Sequence, residues 1–300
     1  MLVPVVAGVD GSAESLSAAE WAAREAVRRG RPLRLVHARS WHPGQEDGHL
    51  ATAAQRHLAR RTLRQAEERI SRTTPAVTLH DEQVDGPATA ALLSAANQAD
   101  LLVLGSRGLS GFTGFLLGSV ALGVVGRATR PVVLVRAGEE PADEHLPAPD
   151  GSGSVRTGYR DVVLGLDLGD PCDDVLAFGF EAAQLRGARL HVVHAWQPAS
   201  PLGLGPGEIG LAEGPGQAEE WLGFMTAVLQ VWREKFPEVE VVETVTAGRA
   251  RSALVRAASG ASLLVVGRRV TERPVGPRTG PVTHAAIQHV GCPVAVVPHL

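Results

Sequence analysis

The chain has 300 residues, room for two domains of ordinary size, and 44% of them are hydrophobic, which excludes disorder over most of its length. Its 29 basic and 32 acidic side chains leave a formal charge of -3, too balanced for a nucleic-acid binder that draws affinity from phosphate neutralisation. Two cysteines, Cys172 and Cys292, exclude a disulfide framework or a four-cysteine zinc site, and 4% aromatic content favours helices packed closely on a sheet over an aromatic-rich β sandwich.

From the N-terminus, MLVPVVAGVDGS reaches Asp10 without a basic leader and reads as a strand over 3–9 rather than a signal peptide, so a cytoplasmic chain is expected. Residues 13–29 form an amphipathic helix with Leu16, Ala19, Ala23, Ala26 and Val27 near one face, Arg24, Glu25 and Arg28 displaced from it, and Gly30 as its stop. Strands follow at 33–38, 76–84, 101–105 and 132–136, in short Val- and Leu-rich runs suited to buried parallel pairing. Between them lie helices at about 50–72, rich in Arg and Glu and read as a solvated face, and at 87–98 and 119–129. The uncharged stretch 108–126 approaches the length of a membrane span, but its glycines, Ser110, Thr113 and Ser119 break the apolar run, and no membrane is expected.

The pattern then repeats. VVAGVDGS around Asp10 returns as VVLGLDLG around Asp167, and LRLVHA ending at Ala38 returns as LHVVHA ending at Ala195, at one constant offset. LLVLG ending at Gly105 returns at Gly267 and RPVVLV ending at Val135 returns at Val297, at an offset five residues larger. The additional residues belong between the second and third strands of the second copy, in the Gly/Pro-rich segment 197–216. Residues 138–158 mix Pro, Gly, Ser and acids without a core-forming pattern, so a first domain over 1–137, a linker over 138–158 and a second domain over 159–300 are predicted. The alternation of strands and helices predicts an α/β fold of two tandem, doubly wound, five-stranded parallel sheets, Rossmann-like in architecture.

Such sheets bind ligands beyond the carboxyl ends of their strands, where the winding reverses. Two segments qualify: Asp10-Gly11-Ser12 after the first strand and GSRGLSGFTGFLLGSV, from Gly105 to Val120, after the fourth. Glycines there permit positive φ or close backbone approach, and the helix start at Gly118-Ser119 presents unpaired N–H groups and a hydroxyl to an anion, with Arg107 nearby. A Walker loop is excluded because the chain's single lysine, Lys235, lies far from any Gly-rich turn, and the first strand ends in GVDGS rather than GxGxxG.

The spacing Gly105, two residues, Gly108, nine residues, Gly118-Ser119 resembles the ATP-binding signature of the universal stress protein family. Gly8-Val9-Asp10, Val36-His37-Ala38 and Pro131-Val132-Val133 resemble that family's first, second and final strands, and the resemblance covers both copies. It implies a fold like that of the adenine nucleotide alpha hydrolases and an ATP ligand with Mg2+. Asp10 would meet the ribose and, through water, the cation; Val9 and Ala38 would border the adenine, with Gly8 among the binding residues. Leu104, Gly105, Arg107 and Gly108 would line the adenosine and phosphate side, and Gly118, Ser119 and Val120 would hold the phosphates. The resemblance also implies pairing of the two copies through their last strands as an internal pseudo-dimer, and leaves a homodimer of two chains open.

The second copy departs from the signature: Val270 stands where Gly108 does and Gly280-Pro281 where Gly118-Ser119 does, which removes an N–H and a hydroxyl, with Arg268, Arg269 and Thr279 as partial compensation. His37 and His194 read as hydrogen-bonded core residues, and Cys292 as a buried thiol. No nucleophile with its base falls beside the phosphates, so an ATP-binding stress-response regulator acting on an unidentified protein partner is expected, with slow hydrolysis at most. The alternatives are a nucleotide-free dimerisation scaffold and an adenylate-transferring or hydrolysing enzyme.

Overall fold

The computed structural model describes residues 2–39, 49–106, 118–197, 216–270 and 279–300. In the first copy the strands are β1 (Val5–Gly8), β2 (Leu33–Arg39), β3 (Leu79–Asp85), β4 (Leu101–Ser106) and β5 (Val132–Arg136). The helices are α1 (Ala13–Arg28), α2 (His49–Thr73), α3 (Ala88–Ala96) and α4 (Ser119–Val125). The second copy repeats them as β6 (Val162–Gly165), α5 (Asp173–Arg186), β7 (Leu190–Trp196), α6 (Gly216–Lys235), β8 (Val241–Ala247), α7 (Ala250–Ala257), β9 (Leu263–Arg269), α8 (Pro281–His289) and β10 (Val294–His299). The five additional residues fall where the repeat places them: β7 keeps the offset of β6, and β8 takes the larger one.

Each copy is parallel and doubly wound, with order β3-β2-β1-β4-β5 in the first and β10-β9-β6-β7-β8 in the second. The two halves are not separate sheets. β5 and β10 pair antiparallel through Leu134 with Val294, Val133 with Ala295 and Val132 with Val296, joining them into one ten-stranded sheet. Two apolar layers result, one under α1, α2, α5 and α6, the other under α3, α4, α7 and α8, and each draws residues from both copies. Alternate strand residues feed opposite layers, as Val5 and Val6 do, which is why the strands read as unbroken apolar runs.

Local chemistry sets the helix ends. Ser12 caps α1 by accepting from Ser15 N, and Gly30, at φ +60°, closes it with Gly30 N donating to Val27 O and Arg31 N to Ala26 O. α4 is shorter than the predicted 119–129: it ends at Val125, with Gly126 as its cap, because Gly123 and Gly126 hold the last turn weakly. Along α2 the buried residues Ala59, Leu63, Ala66 and Ile70 form one stripe and the charges face out.

The expected face of α1 needs correction. Val27 is 43% exposed, whereas Glu25 is fully buried. Glu25 Oε2 accepts from Arg28 Nη1 at 3.0 Å and from Arg186 Nη2 of α5 at 2.8 Å, and Oε1 accepts from Arg29 Nε at 2.8 Å. The second copy covers that side of α1, so a buried charge cluster replaces solvent. Residues 138–158, read as lacking a core pattern, are also anchored here: Arg24 Nη2 reaches Glu139 at 2.7 Å and Glu144 at 2.8 Å, Arg28 pairs with Glu144, and both acids are buried.

Among the described residues no helix is long and apolar enough to cross a membrane. Residues 108–117 of the membrane-like stretch lie outside the described residues.

Candidate functional site

In the first copy the chain winds outward from β1 through β2 to β3, then returns to β4 on the other flank of β1. Winding therefore reverses between β1 and β4, and a crevice opens beyond their carboxyl ends. Gly8, Val9 and Asp10 leave β1 on one side of it; Leu104 and Gly105 leave β4 on the other. Ala38, in register with Val84, sits on β2 next to them.

Asp10 is exposed at the mouth of this crevice. Its Oδ1 accepts from Ser12 N at 3.0 Å and Ser12 Oγ at 2.6 Å, and neither bond uses Oδ2. Partial burial pushes its carboxyl up, but the Ser12 hydroxyl and N–H and the Ser15 hydroxyl outweigh this and hold it below its ordinary value, so it is a carboxylate at neutral pH. Gly11, at φ +86°, supplies the left-handed turn between Asp10 and the cap of α1. His37 Nδ1 donates to Val9 O at 2.7 Å, and His194 Nδ1 donates to the matching Leu166 O at 3.0 Å, so both act as the expected hydrogen-bonded ties at strand ends.

Gly8 and Gly105 serve close approach rather than positive φ. Gly105 and Gly118 are absent from the left-handed region. A Cβ on Gly105 would lie 2.5 Å from the carbonyl carbon of Glu14 and 2.7 Å from Ser15 N, so β4 is pressed against the first turn of α1. A Cβ on Gly8 would lie 2.6 Å from Leu104 Cδ2. Gly118, with φ -53°, caps α4, and nothing lies within 4 Å of where its Cβ would be. Ser119 and Val120 open α4, whose first N–H groups have no partner within the helix. Arg107 and Gly108 lie outside the described residues.

The described side of the site thus consists of a switch point between β1 and β4, an ionised carboxylate beyond β1, and small residues where side chain or backbone comes close. Among the described residues no group of three or more His, Cys, Asp or Glu side chains is placed to hold a metal ion directly. Cys292, partly buried beside the C-terminal end of α7, has its thiol pushed up to about 12 by desolvation, which favours the protonated form at neutral pH.

In the second copy, the three residues offered as compensation for the altered signature diverge. Arg268 turns away from the crevice, its guanidinium donating to Gly126 O at 3.3 Å and to Ala128 O across the junction. Arg269 lines the crevice and pairs with Asp170, and Thr279 is buried ahead of α8. Sequence reasoning missed Asp170 and His299 as lining residues; His299 ends β10 and Asp170 lies in the turn between β6 and α5, and position beyond a strand's carboxyl end is the signal that could have found them.

A doubly wound α/β chain, duplicated and joined through its last strands, with a switch point in each copy, is the class this fold defines. The model of the universal stress protein family matches residues 1–136 and 158–298. The chain belongs to that family. It is similar to the universal stress protein Rv2005c of Mycobacterium tuberculosis H37Rv, at 30% identity over 97% of this chain and 96% of that one. A universal stress protein of Mycolicibacterium smegmatis is 29% identical over 98% of this chain and 96% of its own. The crystal structure of a universal stress protein from Archaeoglobus fulgidus DSM 4304 superposes with a TM-score of 0.73 at 17% identity, covering 99% of both chains, a likeness of fold.

Proposed function

We propose that the first copy binds ATP with Mg2+ and that the chain is a nucleotide-dependent regulator in the cytoplasm rather than a turnover enzyme. The observation that carries this reading is the crevice between β1 and β4, with the Asp10 carboxylate on one lip and Gly105 pressed to backbone on the other, in a chain of this family. Val9 and Ala38 would border the base, Asp10 the ribose and, through water, the cation. Gly118, Ser119 and Val120, with Arg107 and Gly108, would hold the phosphates. Bound nucleotide would favour one arrangement of the β4–α4 connection and so alter a surface seen by a protein partner.

The test is direct. Purified chain, denatured and analysed by chromatography, is expected to release about one ATP per molecule. Gly118→Val, whose added carbons enter open space and leave the fold intact, is expected to abolish retention. Retention unchanged in that variant, or no nucleotide and no calorimetric heat at millimolar ATP, overturns the reading.

A further inference from the structure

The duplicated helix pairs on one face of the sheet are not equivalent. In the first copy α3 and α4 meet closely: a Cβ on Gly123 of α4 would lie 3.2 Å from Thr89 Cγ2 of α3. At the offset of the later strands, Arg251 of α7 stands where Thr89 does and Ala285 of α8 where Gly123 does. With this larger pair, a cavity of about 520 Å³ lies between α7 and α8, within the range of small-molecule sites. It is separate from the crevice at the switch point. α7 turns Ala250 and Leu254 toward the crevice and Arg251 and Val255 toward this groove, and the two share no lining residue.

The groove is cationic. Val255 and the buried Ala285 supply its apolar part; Arg251, Ser252 and Arg256 of α7 and His284, Gln288 and His289 of α8 stand around them, and no acidic side chain lines it. The first copy has Ser94, Leu122 and Gly126 where Arg256, His284 and Gln288 stand, so this character belongs to the second copy alone. Nor does it follow from a basic composition, since the whole chain carries -3. Arg24, Arg28, Arg29 and Arg186 are each held by a carboxylate, whereas among the described residues Arg251 and Arg256 have no ion-pair partner.

Five positions apart on one helix, Arg251 and Arg256 are offset by about 7.5 Å along its axis. Each guanidinium fork can take two anionic oxygens, and two forks at that spacing match several charges carried on a short chain of phosphates better than they match a single carboxylate. The Ser252 hydroxyl and the Gln288 amide add neutral donors. We infer that the groove between α7 and α8 is a binding site for a compact polyphosphate anion. The inference stands apart from nucleotide binding in the first crevice.

Calorimetry on the full chain, freed of nucleotide and at low salt, tests it with tripolyphosphate as the probe. A site is expected that Arg251→Gln combined with Arg256→Gln weakens at least about tenfold. Both arginines are exposed, so the core is left undisturbed. Gly118→Val, which addresses the first crevice, should leave this heat in place. ATP added to the Gly118→Val chain then identifies the source of phosphate: heat that the arginine changes remove means that a nucleotide's tail enters the groove, and silence means that free polyphosphate alone does. No tripolyphosphate heat, heat that the arginine changes leave unmoved, or citrate bound as tightly as tripolyphosphate overturns the inference. If the unmoved heat is instead removed by Gly118→Val, the anion sits in the first crevice and that reading stands.

Discussion

Glu25 and Glu139 sit a few residues' reach apart in the same charge cluster and respond to pH in opposite senses. Burial alone would raise the Glu25 carboxyl, but Arg186, Arg29 and Arg28 outweigh it and hold it far below its ordinary 4.5. Its stabilising effect is present above that value and is lost as pH falls beneath it. At Glu139 burial wins: with Arg24 shared between Glu139 and Glu144, the carboxyl is pushed up to about 7 from 4.5. The folded chain then holds that proton more tightly than the unfolded chain does. Its contribution is full below 4.5 and is lost as pH rises toward 7. Glu139→Gln is therefore expected to flatten the decline in Tm between about pH 5 and about pH 7 and to leave the acid limb set by Glu25 in place. Thermal unfolding across that range checks it; a decline as steep as in the parent chain means Glu139 is ionised in the fold.

Among the elements, the contact between β4 and α1 is the tightest made by any site residue. Because the atoms facing Gly105 are the backbone of Glu14 and Ser15, a methyl group there cannot be accommodated by a rotamer change. Gly105→Ala is expected to cost about 1–3 kcal/mol in urea unfolding, as overpacking of a closed contact does. Equal midpoints for variant and parent would show that α1 can slide on the sheet. This contact also marks what the sequence could and could not tell. The inner strands were legible because they are buried on both faces and so appear as apolar runs, and β2, β4 and β5 lie within a residue of their predicted bounds; β3, an exposed border strand, begins three residues later than predicted. The crevice was legible because its glycines and Asp10 sit at strand ends. The burial of Glu25 and the docking of 138–158 were not, since both depend on charges meeting across the two copies, and a one-dimensional period carries no trace of a partner far along the chain. The role of Gly105 was half legible: a glycine signals permission for positive φ or for close approach, and only the fold selects between them.

For the molecule as a whole, the junction of β5 with β10 decides the behaviour. Both apolar layers run through it, and Arg186 of the second copy completes the charge set of Glu25 in the first. Neither copy can unfold without exposing apolar surface and an unbalanced buried charge in the other. Scanning calorimetry is expected to show one cooperative transition, with van't Hoff and calorimetric enthalpies equal; two resolved transitions would mean the copies fold independently.

The same junction determines where the molecule can grow. With β5 and β10 spent on each other, the outer borders of the sheet are β3 and β8. β3 carries Asp81, Glu82 and Asp85, all three exposed, and a like strand laid against it would bring carboxylate beside carboxylate. Extension into a fibre through that border is electrostatically discouraged, and since β8 carries a single acid, Glu243, the two borders of the sheet are unlike and a head-to-tail ladder of chains through them is opposed at every β3 end.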